Sequence, residues 1–90
     1  MAVIARQIDP RDQRWQVDHT KYRVYFWQRL GEADDSGWMS DEWELEGADV
    51  AQALDWANAQ SRGRQFVLYA SIAEEDGVGL ITLQGVDPTA

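Results

Sequence analysis

The stretch from Tyr22 to Leu30, YRVYFWQRL, alternates two sets of side chains without a break. Successive residues of a strand point to opposite faces, so Arg23, Tyr25, Trp27 and Arg29 share one side and Tyr22, Val24, Phe26, Gln28 and Leu30 the other. β-branched and aromatic residues at this period read as a strand, and an isolated strand needs a partner to be stable. The next residues supply one. GEADDSG, from 31 to 37, has glycine at both ends and turn-forming Asp and Ser between them, which predicts a hairpin loop. A second strand over 38 to 46 then returns antiparallel, with Trp38, Ser40, Glu42, Glu44 and Glu46 in one row and Met39, Asp41, Trp43 and Leu45 in the other. The second row is expected to be the buried one from Trp43 on.

After Gly47 the period changes. Asp49 followed three residues later by Gln52 has the form of a capping box, which satisfies the free amides at a helix start. Val50, Ala53, Leu54 and Ala57 then fall on one stripe at spacings of three and four, with Trp56 off it, so DVAQALDWANAQ predicts an amphipathic helix lying on a sheet. Gly63 is placed as the left-handed residue that ends it. Two more strands follow, over 64 to 73 and 78 to 86, joined by a tight turn at Glu74-Glu75-Asp76-Gly77, where the Asp-Gly pair is expected to supply positive φ. Asp87-Pro88 ends the last strand, because proline has no amide to give a ladder.

The pattern is β-β-α-β-β, an α+β fold with an antiparallel sheet and one helix packed on one face. The sheet has four strands, or five if VIARQI, residues 3 to 8, adds one ahead of a turn at Asp9-Pro10-Arg11-Asp12. Residues 1–90 are expected to form a single domain, since a chain this short has room for one core. A helix of a dozen residues covers one face of such a sheet, which leaves the other open. If Val24 and Phe26 face the helix, then Arg23, Tyr25, Trp27 and Arg29 stand on the open face, where Val67 and Tyr69 would join them.

Composition limits what that face can do. Sixteen acidic side chains against eight basic ones give a net charge of −8, which repels phosphate backbones and anionic lipid and argues against nucleic-acid and membrane partners. There is no cysteine, hence no disulfide frame and no thiolate metal site, and no cofactor motif stands out. The start of the chain lacks a signal-type apolar run, and no stretch is long enough to span a membrane, so a cytoplasmic protein is expected. Lys21 is the only lysine among arginines, a codon-usage bias that suggests a GC-rich bacterial genome.

Catalytic parts are missing. His19 is the one histidine, with no second one for a metal and no nucleophile elbow or phosphate loop elsewhere. Glu32, Asp34, Ser36 and Gly37 match the first positions of a calcium loop, but the position that should hold a bidentate glutamate is Trp43 and the flanks read as strands. The residues expected to meet a partner are therefore Arg23, Tyr25, Trp27 and Arg29, types that dominate interface hot spots, with Glu42, Glu44 and Glu46 as a docking stripe or as cross-strand matches to Arg23 and Arg29.

In size, acidity and lack of catalytic parts the chain is similar to bacterial immunity and antitoxin-type inhibitors as a class, a resemblance of composition that implies an acidic, non-catalytic protein-binding module. Two other readings stand beside it. One is a homodimer whose open faces stack on each other; the other is a small-molecule binder with carboxylates lining a groove between helix and sheet.

Overall fold

Strand β1 (Lys21–Arg29) is interior to the sheet because both of its edges are taken. β2 (Trp38–Leu45) pairs with one edge and β3 (Gln65–Glu74) with the other, and β4 (Gly77–Gln84) lies outside β3. All three pairings are antiparallel, in the order β2-β1-β3-β4, and helix α1 (Val50–Gln60) connects the two hairpins. The fold is α+β, as the alternation predicts. This computed structural model describes residues 2–18, 20–32 and 37–89. Among them no helix is long and apolar enough to cross a membrane.

Tyr22, Val24 and Phe26 of β1 and Leu68 of β3 face α1 and close the core against Ala53 and Ala57. Two alanines at this contact let the helix backbone approach the sheet closely, so that the larger strand residues fill the space between. Val24, Phe26, Ala53 and Ala57 are fully enclosed, and Leu45, Ala48, Leu54, Trp56 and Phe66 pack around them. The capping box is formed: the Asp49 side chain accepts from the Gln52 amide at 2.8 Å, and the Gln52 side chain accepts from the Asp49 amide at 2.9 Å.

Several expectations change. The segment 3–8 joins no strand, so among the described residues the sheet has four strands, without the optional fifth. The turn at Asp9 to Asp12 is a short 3-10 helix, Pro10–Asp12, capped by Asp9. Val50 is half exposed because it sits in the first turn, beyond the sheet, whereas Trp56 reaches over from the flank of the helix to Phe26 and Trp43. Trp43 itself remains 49% exposed although it faces α1. At the helix end the first left-handed residue is Arg62, with Gly63 following it. The β3–β4 loop consists of Glu75 and Asp76, and of the Asp-Gly pair only Gly77 has positive φ. β4 stops at Gln84, two residues short of the expected end, after a bulge opposite Leu68 and Tyr69.

Candidate functional site

With Tyr22, Val24 and Phe26 beneath the helix, period two sends Arg23, Tyr25 and Trp27 to the opposite face. The register then decides their neighbours. Arg23 lies between Glu44 and Tyr69, Tyr25 between Glu42 and Val67, and Trp27 between Ser40 and Gln65. Arg23 and Tyr25 thus have β2 carboxylates on one side and the apolar Tyr69 and Val67 of β3 on the other, while Trp27 lies between polar side chains.

Arg23 is held by two partners. Its Nη1 donates to the Tyr25 hydroxyl at 3.3 Å, and its Nε stands 3.6 Å from Glu44 Oε1. The tyrosine oxygen, with Glu44 behind it, raises the guanidinium's already high pKa further. One row along, Lys21 Nζ meets Glu46 at 3.1 Å, and that bond raises the Lys21 pKa. Tyr25 packs edge to face on Tyr69, ring centroids 5.1 Å apart. Glu42, opposite Tyr25, accepts a hydrogen bond from Ser40. The expected match between carboxylates and arginines therefore holds for Arg23 with Glu44. It does not hold for Arg29, which stands opposite Trp38 and places its guanidinium 5.1 Å from the indole centroid. The length of the hairpin loop sets that register, and it puts a tryptophan, not a glutamate, at the last pair.

The open face is less open than layer counting implies. Val67 and Tyr69 are buried, and so is Ser71. Part of the cover is the chain beyond β4. Gly85 packs against the Phe66 carbonyl and Val67 Cα, so closely that a side chain there would overlap the backbone. Gln65 Nε2 donates to the Val86 carbonyl at 3.4 Å, and Asp87 and Pro88 are half-buried. Burial raises the Tyr69 phenol above its ordinary pKa, with the Asp87 charge and Tyr25 adding to the shift. The strand ends at Gln84, ahead of the Asp87-Pro88 pair expected to stop it, and the strand residues gave no sign that the tail folds back onto β3. The glycine just ahead of that pair was the available signal.

Trp27 marks the far end of the face. It is half-buried, and among the described residues its Nε1 has no hydrogen-bond partner although the atom is enclosed. Together with Arg29, Trp38 and the loop from Arg62 to Gln65 it lines an open cleft of about 590 Å³. Arg64 in that loop is committed to the fold: it lies 3.1 Å from Asp41 and stacks on Phe26, with its other donors on Gln60 and Ser61 carbonyls. A second groove of about 500 Å³ runs beside α1, lined by Glu44, Glu46, Gln52 and Trp56, but both carboxylates already serve Arg23 and Lys21.

His19, and Asp34 and Ser36 of the calcium-type spacing, lie outside the described residues. Among the described residues no three carboxylate or histidine side chains gather closely enough to hold a metal ion. Comparison with known proteins finds no matching family, no matching curated protein and no matching solved structure.

Proposed function

We propose that this chain is a non-catalytic protein-binding module of the bacterial cytoplasm, an acidic inhibitor of the immunity or antitoxin kind. Its contact surface is the sheet face of Arg23, Tyr25 and Trp27, with Arg29 at one end and Glu42, Glu44 and Glu46 along the β2 side. The observation that carries this reading is the bracing of Arg23 by Glu44 and Tyr25, and of Tyr25 by Tyr69. Large, rigid side chains fixed before contact lose little entropy on binding, which is what distinguishes a hot spot from an ordinary patch. The net charge of −8 favours a basic partner by speeding encounter.

The test is titration of a captured partner with the wild-type chain, Trp27→Ala and Tyr25→Ala, each checked for an unchanged circular dichroism spectrum. A loss of about thirtyfold or more in affinity, the ~2 kcal/mol of a hot spot, is expected for Trp27→Ala. Equal affinity for all three would remove this face from the interface. Metabolite-dependent thermal stabilisation in the absence of any protein partner would instead support the small-molecule reading.

A further inference from the structure

The sheet has two edges, and the sequence treats them differently. β2, at one edge, carries Asp41, Glu42 and Glu44 in eight residues, the kind of charge that discourages a further strand from pairing. β4, at the other, reads GVGLITLQ: eight residues with no charge and no proline. Val78, Leu80, Ile81 and Leu83 are all exposed, because α1 lies over β1 and β3 and does not reach β4. An unguarded edge of this kind is a template for one more strand.

The same chain carries an unused strand-like segment. Residues 2–17 form an arm with Val3 at 93% exposure, Ile4 at 94% and Ile8 at 67%. Among the described residues the side-chain hydrogen bonds of this arm are local, Asp9 with Arg11, Gln13 with Gln16 and Gln16 with Asp18, and none reaches the sheet. The molecule extends to 53 Å, with a radius of gyration of 16.2 Å against about 12 Å for a compact chain of this length. The exposed surface tells the same story. It is 7472 Å², roughly 2,000 Å² more than a compact protein of 10.3 kDa shows. A standard interface takes only about 800 Å² from each partner, so a stable dimer has ample area to bury.

We infer that β4 is the docking edge for the N-terminal arm of a second copy of this chain, the two copies exchanging arms about a two-fold axis. Each arm adds its residues from Val3 to Ile8 as a fifth strand beside the partner copy's β4. Charge favours this over direct pairing of two β4 strands. The arm has three arginines against two aspartates, while the rest of the chain has five basic and fourteen acidic side chains. Two antiparallel β4 strands would set Glu74, Glu75 and Asp76 of one copy beside Asp87 of the other, whereas Arg6 of an incoming arm meets those acids as an opposite charge. This surface is separate from the Arg23, Tyr25 and Trp27 face, and the inference stands whether or not that face binds another protein.

The experiment is the mass by light scattering behind size-exclusion chromatography, from micromolar to millimolar loading, for three full-length chains. The wild type is expected at twice 10.3 kDa. A double variant, Ile4→Asp with Ile8→Asp, spoils the arm at exposed positions, and Ile81→Lys spoils the edge at an exposed site. Each is expected to be monomeric alone with an unchanged circular dichroism spectrum. Mixed together they are expected to associate, because the arm of the Ile81→Lys chain still fits the edge of the arm variant. A wild type that is monomeric throughout, a dimer that survives either change, or a mixture that stays monomeric would overturn the inference.

Discussion

Tyr25 of β1 and Tyr69 of β3 meet edge to face, ring centroids 5.1 Å apart at 62°, across a diagonal of the sheet. Each has another residue directly opposite, Val67 for Tyr25 and Arg23 for Tyr69, so the pair ties two rungs of the ladder together. Aromatic pairs of this geometry contribute about 1 kcal/mol beyond the area they bury. A double-mutant cycle of Tyr25→Ala and Tyr69→Ala by urea denaturation should return a coupling of that size. Tyr25→Phe should keep the coupling, since it removes only the acceptor of Arg23. Strictly additive effects would mean that the rings merely sit near each other.

Trp56 and Val50 make the opposite test on the other face. Trp56 packs on Phe26 at 6.0 Å and on Trp43 at 5.6 Å, whereas Val50 is 51% exposed. Truncating a packed tryptophan costs about 3 kcal/mol, and an exposed valine within about 0.5 kcal/mol. Trp56→Ala should therefore lower the denaturation midpoint markedly and Val50→Ala barely. A reversal of that order would restore the simple stripe as the guide to the helix contact.

The reason the stripe misleads at these two positions is physical. A helical wheel places Trp56 about 60° from Ala53 and about 100° from Ala57, but an indole is long enough to reach the sheet from there, and the two alanines are small enough to let it. Val50 lies on the stripe, yet one turn too early to meet a strand. The strands were legible because period two and cross-strand pairing survive into the structure intact, and so were the faces of Arg23, Tyr25 and Trp27. Which residue stands opposite Arg29 was not, because a register is a property of two strands and the loop between them. The burial of Tyr69 by the tail was not legible either, since Gly85 meets Phe66 and Val67 only after the sheet has formed.

Asp41 and Tyr69 each tie the stability of the fold to pH. A hydrogen bond from the Trp43 side chain, with Arg64 beside it, holds the Asp41 carboxyl below its ordinary value of 3.8. A carboxylate whose folded pKa is depressed stabilises the fold fully above its unfolded value and less as pH falls through the folded one. Asp41→Asn should thus lower the melting temperature at neutral pH and flatten its decline below about pH 4. Tyr69 acts at the other end: its phenol is raised above 10.0, mainly by burial, so its contribution is complete below that pH and is lost as pH rises through the folded value. An alkaline titration followed by phenolate absorbance should show one tyrosine ionising late, and Tyr69→Phe should abolish that step. A late step that survives Tyr69→Phe would contradict it.

Gly85 controls how much of the candidate face is covered. Its φ is +97°, and an added Cβ would lie 2.3 Å from the Phe66 carbonyl oxygen and 3.0 Å from Val67 Cα, both backbone atoms that cannot swing aside. Gly47 offers the control, with φ +74° and nothing within 4 Å of its added Cβ. Gly47→Ala should cost only the left-handed strain, about 1 kcal/mol, and leave the face unchanged. Gly85→Ala carries the same strain and a clash that relaxes only if the tail lifts off β3. Asp87 would leave with it, so the Tyr69 phenol should titrate closer to its ordinary pKa and Tyr69 should become more accessible to solvent quenchers. If the interaction face is Arg23, Tyr25 and Trp27 alone, partner affinity should survive this change. If Asp87 and Pro88 belong to the contact, affinity should fall with the tail, which makes Gly85→Ala the variant that sets the boundary of the site. A Gly85→Ala chain with an unchanged Tyr69 titration would show that the tail does not cover Tyr69.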